Sequence, residues 1–353
     1  MKPWHTRLST PAWWYRTGLL PLLLWPLTLL YRVALHSDQK QRRRKIFRPL
    51  MPVISVGNLT IGGSGKTPLV AALARHLEKR GEVVAILSRG YGANLAHACR
   101  VDAHYTAVDV GDEPLELFEA GVASQIWVGP NRQESARLAM AAGATVLLLD
   151  DAFQHLQLAR DIDLVVVAGG DFGLGNGMLL PAGPLREPIT ALGRANGLVV
   201  MGESTPRLPT QLPQFEVTYL PEDIAPLEGK AVVAFCGLGL PEKFFRRLRA
   251  QGLDLRETVA LPDHARYSQA EEDLLTALAQ KHGATLVTTS KDAVKLSPDF
   301  RRNVHVLVPQ LAADSLRPLL KFVDTELAQA RVRLQDPAMV ILAEAAEEMR
   351  VPE

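Results

Sequence analysis

Residues 52–68 read PVISVGNLTIGGSGKTP, and this stretch decides the fold. Val53, Ile54 and Val56 make a short β-branched run, which predicts a buried strand. A glycine-rich loop follows, then Lys66 and Thr67, then LVAALARHLEKRG (69–81), whose apolar residues recur at helical spacing. Strand, glycine loop, Lys-Thr and helix in that order form the P-loop arrangement. Gly62, Gly63 and Gly65 let the backbone bend until several N–H groups face one oxyanion cluster. The helix N-terminus adds a partial positive charge at the same point. The expected phosphate cradle is therefore Thr60, Ile61, Gly62, Gly63, Ser64, Gly65, Lys66 and Thr67. Lys66 reaches the β/γ-phosphates, and the Thr67 hydroxyl holds Mg²⁺. Thr60 stands where the usual pattern begins with glycine. A glycine-rich turn that binds nothing is the bland alternative; Lys-Thr with these flanks argues against it.

At 353 residues the chain is long enough for two domains with their own cores. A formal net charge of +1 gives no overall field that would attract nucleic acid. Cys99 and Cys236 are the two cysteines, far apart, which predicts a reducing compartment and no disulfide framework.

The N-terminal stretch 11–35 reads PAWWYRTGLLPLLLWPLTLLYRVAL. Its uninterrupted apolar core, 19–31, is 13 residues, short of the roughly 20 that a span needs. Pro21 and Pro26 predict kinks. Trp4, Trp13, Trp14, Tyr15 and Trp25 carry rings suited to the headgroup level. Six basic residues and no acid then fall between Lys40 and Arg48, which favours an anionic leaflet. Residues 1–48 are therefore expected to lie in or dip into a membrane, on the cytoplasmic face of the inner membrane. No small-residue cleavage site follows the apolar run, against a signal peptide. The other alternative is an apolar helix packed on the protein, with RRRK as a solvated face.

The rest of the chain alternates apolar strands with helices. Strands are expected at EVVAILS, QIWVG, TVLLLD, DLVVVA and GLVVMG, with a helix over 131–142. That alternation predicts an α/β fold, a P-loop NTPase-like parallel sheet with helices on both faces. The apolar run 145–149 closes in Asp150 and Asp151, the strand-plus-Asp arrangement that P-loop enzymes use for Mg²⁺. Asp112 and Glu113 precede Pro114 and suit a helix start, where acids gather as caps. Prolines cluster from 206 to 226, which puts a linker at 203–229. The expected units are a membrane-associating segment (1–48), a P-loop core (49–202), the linker, a smaller α/β lobe (230–322) and a helical tail (323–353).

Two resemblances narrow the function. IGGSGKT is similar to the KGGxGKT loop of ParA/MinD-like ATPases, which use the leading lysine across a dimer. Ile61 holds that position here, which weighs against a dimeric switch. As a set, the chain resembles the tetraacyldisaccharide 4′-kinase family of lipid A biosynthesis. The residues that carry this are the hydrophobic N-terminus with its basic flank, VISVGNLTIGGSGKTP, LSRGYG, GDEP, VGPNR, LLLDDAFQH, LLPAGPLREP, Asp263–Tyr267 and TTSKDAVKL. The family's usual DHHxY stands here as DHARY, with Ala265 at the second histidine.

The resemblance implies ATP, Mg²⁺ and phosphorylation of the 4′-hydroxyl of a lipid-linked glucosamine disaccharide 1-phosphate at a membrane surface, with no nucleic acid and no evident protein partner. Within it, Lys66 holds phosphate and Thr67, Glu113 and Asp151 organise the metal. Asp112 accepts the sugar proton, His264 orients Asp112, and Asp150 shares either carboxylate role. Arg89, Arg132 and Arg186 are the expected anion contacts, since guanidinium grips phosphate in bidentate fashion. The competing function is a membrane-docked P-loop switch ATPase.

Overall fold

The computed structural model describes residues 11–336, apart from 16–17, 171–172, 203–207, 209, 222, 240 and 263–264. His264 therefore lies outside the described residues, as does the expected tail beyond 336.

The P-loop strand β1 (Val53–Asn58) lies in the middle of an eight-stranded sheet. The others are β2 (Val84–Ser88), β3 (Cys99–Arg100), β4 (Gln125–Val128), β5 (Val146–Asp150), β6 (Ile162–Ala168), β7 (Gly197–Met201) and β8 (Gln214–Val217). Their order is β3-β4-β2-β5-β1-β6-β7-β8, parallel except for the two-residue β3. β1, β2, β4, β5 and β7 are buried at every position, as central parallel strands covered on both faces must be.

Alternation along each strand divides the core between the two faces. Ile54, Val56, Ile86 and Leu148 point to the side of α2 (Lys66–Lys79), packing on its Leu69, Val70, Leu73 and Leu77. Val53, Ala85, Leu87, Leu147 and Leu149 face the other way.

The chain begins with α1 (Leu19–Arg42), a continuous helix through Pro21 and Pro26, where kinks were expected. Pro21 sits in the first turn, where a helix N–H has no intrahelical partner to lose. At 24 residues α1 is long and apolar enough to cross a membrane, about 36 Å at helical rise. Its contacts with the protein are few: Pro21 and Thr28 are its buried residues, whereas Leu19, Leu23, Leu30 and Val33 are at least 70% exposed. The packed-helix alternative does not suit a helix so exposed on its apolar side.

Between the sheet strands run α3 (Ala107–Val110), α4 (Asp112–Glu119) and α5 (Arg132–Ala141). Asn131 caps α5, its Oδ1 accepting from the N–H groups of Gln133 and Glu134. The second lobe is a four-stranded parallel sheet, order β10-β9-β11-β12, built from β9 (Ala231–Cys236), β10 (Asp254–Ala260), β11 (Thr285–Thr289) and β12 (Val304–Leu307). The helices α6 (Pro241–Ala250), α7 (Gln269–His282), α8 (Ser290–Ala293) and α9 (Pro298–Arg301) complete it. The last helix, α10 (Ala313–Leu334), follows. Cys99 and Cys236 form no disulfide with each other.

The lobe boundaries differ from the composition-based ones in two places. The expected linker contains β8, which pairs in parallel with β7 and so belongs to the first sheet. α10, divided in the sequence reading between the second lobe and the tail, packs its Leu316, Leu319, Val323 and Leu327 into the first lobe's core beside Val199 and Val217. The chain thus leaves the first lobe after β8 and returns before α10. The two crossing segments are bonded to each other: Leu220 N donates to Gln310 O (2.8 Å) and Ala312 N to Thr218 O (2.9 Å). Prolines mark breaks in regular structure, but they do not reveal which sheet a short strand joins.

Leu319 is fully buried, so Leu319→Ala should cost about 2–5 kcal/mol of stability, read as a lowered denaturation midpoint. An unchanged midpoint would mean that α10 is not part of the first core.

Candidate active site

Strand register assembles the site. Val56 of β1 pairs with Asp150 of β5, so the loop after β1 and the two aspartates leave the sheet side by side, at the strands' carboxyl ends. Gly57 must be glycine here: a Cβ on it would lie 2.5 Å from Phe153 N. In the loop, Gly62 (φ 110°) and Gly65 (φ 88°) take left-handed conformations, and a Cβ on Gly65 would meet the Tyr219 hydroxyl at 2.4 Å. Thr60 keeps a negative φ, because it is extended and bridged to Leu185. The departure from glycine at that position therefore carries no backbone strain. Tyr15, from the short N-terminal turn, helps to line the hollow over Thr60–Ser64.

The loop 184–186 is tied directly to the P-loop. Ile61 N donates to Pro184 O (2.9 Å), and Arg186 N donates to Leu59 O (2.7 Å). This tether aims the Arg186 guanidinium at Asp151, with Nη1 3.1 Å from Oδ2 and 3.3 Å from Oδ1. Lys66 Nζ lies 3.5 Å from the same carboxylate. Burial alone would raise the Asp151 pKa, but Lys66, Arg186 and Arg132 outweigh it and hold it down at about 2. Asp151 (φ 45°) is also the one non-glycine residue at positive φ among the described residues, and such strain marks sites that their surroundings over-determine.

Asp150 has the opposite environment. It is buried, and neither carboxylate oxygen has a hydrogen-bond partner among the described residues. Burial, then the charges of Glu113 and Asp151, push its proton affinity well above the carboxylate range, against Lys66 and Arg132. An orphaned buried carboxylate is costly unless a cation meets it. The two aspartates expected near the metal thus meet unlike surroundings: Asp151 is engaged by two cationic side chains, and Asp150 by no hydrogen bond among the described residues.

The three expected anion contacts separate. Arg132 is buried, and its guanidinium braces the main chain, Nη2 donating to the carbonyls of Asp150 (2.5 Å) and Asp151 (3.3 Å). Arg186 is engaged with Asp151 and Gln154. Arg89 is exposed at the end of β2, close enough for its charge to be felt at Arg132 and His155. The sequence reading assigned no role to Gln154 or His155. Gln154 Nε2 donates to Asn58 O (2.9 Å). His155 is pushed down to about 3, by burial first and then by Arg132 and Arg160. Both lie in the DDAFQH stretch already singled out, the available signal.

Asp112 and Glu113 open α4 as expected, and Asp112 is buried. The second lobe reaches them through the TSKDAVK segment. Lys291 Nζ lies 3.5 Å from Glu113 Oε1, and Lys295 Nζ lies 4.0 Å from Asp112 Oδ2. On the same face, Ser290 Oγ donates to Glu116 Oε1 (2.5 Å), and Arg301 pairs with Glu119 (2.7 Å). Neither lysine was assigned a role from sequence.

The helix α1 also meets this region. Tyr31 OH donates to the carbonyl of Arg186 (2.8 Å), and Gln39 Nε2 donates to Glu187 Oε2 (2.7 Å). Glu187 is buried and paired with Arg194 (2.7 Å).

The family model described as tetraacyldisaccharide-1-P 4′-kinase matches residues 20–328. A tetraacyldisaccharide 4′-kinase from Gluconobacter oxydans is 41% identical over 318 residues, covering 87% of this chain and 95% of that protein. One from Methylorubrum extorquens is 42% identical over 322 residues, covering 88% and 96%. Among solved structures, LpxK from Aquifex aeolicus in complex with ATP is 29% identical, with a TM-score of 0.69, covering 88% of this chain and all of that one.

The lobe contact makes a pH prediction. Burial raises the Glu116 pKa to about 7 from 4.5. Between those values the folded chain binds the proton more tightly than the unfolded one, so stability is highest below the window and declines as pH rises through it. Glu116→Gln should flatten that decline, measured as urea midpoints at pH 5 and pH 8. An unchanged slope would show that Glu116 ionises freely.

Proposed function

Since the chain belongs to the tetraacyldisaccharide-1-P 4′-kinase family, we propose that it transfers the γ-phosphoryl group of ATP to the 4′-hydroxyl of a tetraacylated glucosamine disaccharide 1-phosphate. The observation that carries the proposal is the pairing of β1 with β5. It sets two unlike carboxylates beside a glycine loop whose lysine already touches one of them.

In this reading the loop amides from Thr60 to Thr67 and Lys66 hold the β/γ-phosphates. Lys66 leaves Asp151 for phosphate when nucleotide enters, and Arg186 stays to keep Asp151 ionised. The orphaned oxygens of Asp150 fit a divalent cation. Among the described residues no three His, Cys, Asp or Glu converge as a metal cluster. That suits Mg²⁺, which is bound through one or two carboxylates together with phosphate oxygens. Asp150 and the Thr67 hydroxyl would hold it, with Asp151 and Glu113 adjacent. When bound, the ion neutralises charge that develops on the transferring group.

Asp112 is the proposed acceptor of the 4′-hydroxyl proton. It lies at the start of α4, facing Lys295 of the second lobe, at a junction whose closure would exclude water that competes for the phosphoryl group. His264 stays a candidate for orienting it. Arg89 is the arginine best placed to meet an anionic acceptor, since Arg132 and Arg186 are held by the protein. The acceptor's acyl chains stay in a bilayer, so the enzyme must work at its surface. The exposed apolar side of α1 and the basic run at 40–48 suit the cytoplasmic leaflet of the inner membrane.

The test is acceptor dependence. Purified protein with Mg-ATP should phosphorylate a tetraacylated disaccharide 1-phosphate once, and Lys66→Ala should lose at least about 100-fold in turnover. ATP hydrolysis without acceptor phosphorylation would favour the switch ATPase instead. Deleting residues 1–35 should shift the protein from the membrane to the soluble fraction; retention on membranes would remove α1 from that role.

A further inference from the structure

The second lobe reaches the first lobe's acids with a matched pair of cations. Lys291 and Lys295 are four residues apart, and they face the neighbouring carboxylates Glu113 and Asp112 at 3.5 Å and 4.0 Å. The two lysines are not equivalent. The Lys295 side chain is 4% exposed. An ammonium so deeply buried needs a fixed counter-charge, and it has one: Lys295 Nζ lies 2.6 Å from Asp292 Oδ1.

Asp292 is itself built in from several sides. It is fully buried, and its carboxylate accepts from Gly237 N (3.0 Å to each oxygen), Tyr267 OH (3.1 Å) and Thr289 Oγ1 (2.8 Å). A Cβ on Gly237 would crowd Asp292 Oδ1 at 3.1 Å, so the glycine lets main chain and carboxylate approach. Three separate segments of the second lobe thus fix one carboxylate, and that carboxylate fixes Lys295. For all this, Lys295 Nζ makes no hydrogen bond of good geometry among the described residues. The same ammonium lies 4.0 Å from Asp112 Oδ2 of the first lobe.

We propose that Lys295 is the positioning residue of Asp112, supplied by the second lobe through the Asp292 anchor. It holds the Asp112 carboxylate aimed at the acceptor only while the two lobes are together. The inference rests on Asp112 being the proton acceptor proposed above. It goes further in making the first lobe's base dependent on a cation of the second. Lys295 acts through Asp112 and needs no contact with substrate. Lobe closure and activation of the base are then one event, because the cation arrives with the lobe that carries it.

The test compares Lys295→Met, Lys295→Arg, Asp112→Asn and the Lys295→Met/Asp112→Asn double variant, all in full-length protein. Each is assayed for kcat, for KM of ATP and of acceptor, and for binding of Mg-ATP. Lys295→Met should lower kcat about 10- to 100-fold, a part of what a general base supplies. Affinity for Mg-ATP should change less than about twofold, and Lys295→Arg should recover much of the rate. In the Asp112→Asn background, adding Lys295→Met should change kcat less than about twofold, because residues acting as one unit are not additive.

Losses that multiply in the double variant, or a kcat of Lys295→Met within about twofold of the parent, would overturn the assignment. Full activity of Asp112→Asn would instead overturn the proton-acceptor reading, a distinguishable failure. If Lys295→Met does not fold because Asp292 is left as an unpaired buried charge, Lys295→Met/Asp292→Asn removes both charges and carries the same expectation.

Discussion

Two carboxylates stand next to each other at the end of a buried strand, and the chain has to pay for both. In a low-dielectric site two adjacent negative charges cannot be equally at ease. The structure resolves this asymmetrically. Lys66 and Arg186 converge on Asp151 and keep it ionised. Asp150 is left buried with neither oxygen bonded within the described residues. Arg132, buried beneath the pair, donates to their main-chain carbonyls rather than to their side chains. It therefore holds the turn in place without neutralising Asp150 by direct contact. The result is one carboxylate balanced by two cationic side chains and one buried with no hydrogen-bond partner among the described residues, a balance that the proposed metal-nucleotide complex would complete.

That balance depends on pieces brought from distant parts of the chain. The register of β1 against β5 sets the glycine loop beside the aspartates. The loop 184–186 reaches the site because its backbone is bonded to Leu59 and Ile61, which places Arg186. The same short loop carries the attachment of α1, since Tyr31 bonds the Arg186 carbonyl and Gln39 bonds Glu187. One loop therefore connects the phosphate cradle, the cation beside Asp151 and the exposed apolar helix. In the proposed reaction this lets a bilayer-bound acceptor and a nucleotide meet at a common edge without a large intervening movement.

The two lobes are joined twice, through unlike chemistry. The crossing segments near Tyr219 and Leu311 pair by main-chain hydrogen bonds, which fix distance and direction. The face of α4 against the TSKDAVK segment is made of side-chain charges and a buried carboxyl, namely Asp112, Glu113 and Glu116 against Lys295, Lys291 and Ser290. Contacts of the second kind are sensitive to charge and to small displacements in a way that main-chain pairing is not. A junction with one hinge of two paired chain segments and one electrostatic face is suited, in the proposed reaction, to close over a substrate and to report that closure to Asp112.

Local chemistry made much of this legible in the amino-acid sequence alone. The β-branched run, the glycines and Lys-Thr of residues 53–67 determine a P-loop, because strand period, φ > 0 and phosphate geometry each demand particular residue types at particular offsets. The apolar run ending in Asp150 and Asp151, and the acids that open α4, are local in the same sense. Only the tertiary structure decided which aspartate is paired, that Arg132 is a brace, that α10 and β8 belong to the first lobe, and that Lys295 meets Asp112 across a gap of 183 residues in the numbering. The physical reason is that pairing, burial and charge balance are properties of which surfaces come together, and a spacing rule that reads neighbours along the chain carries no information about neighbours across it.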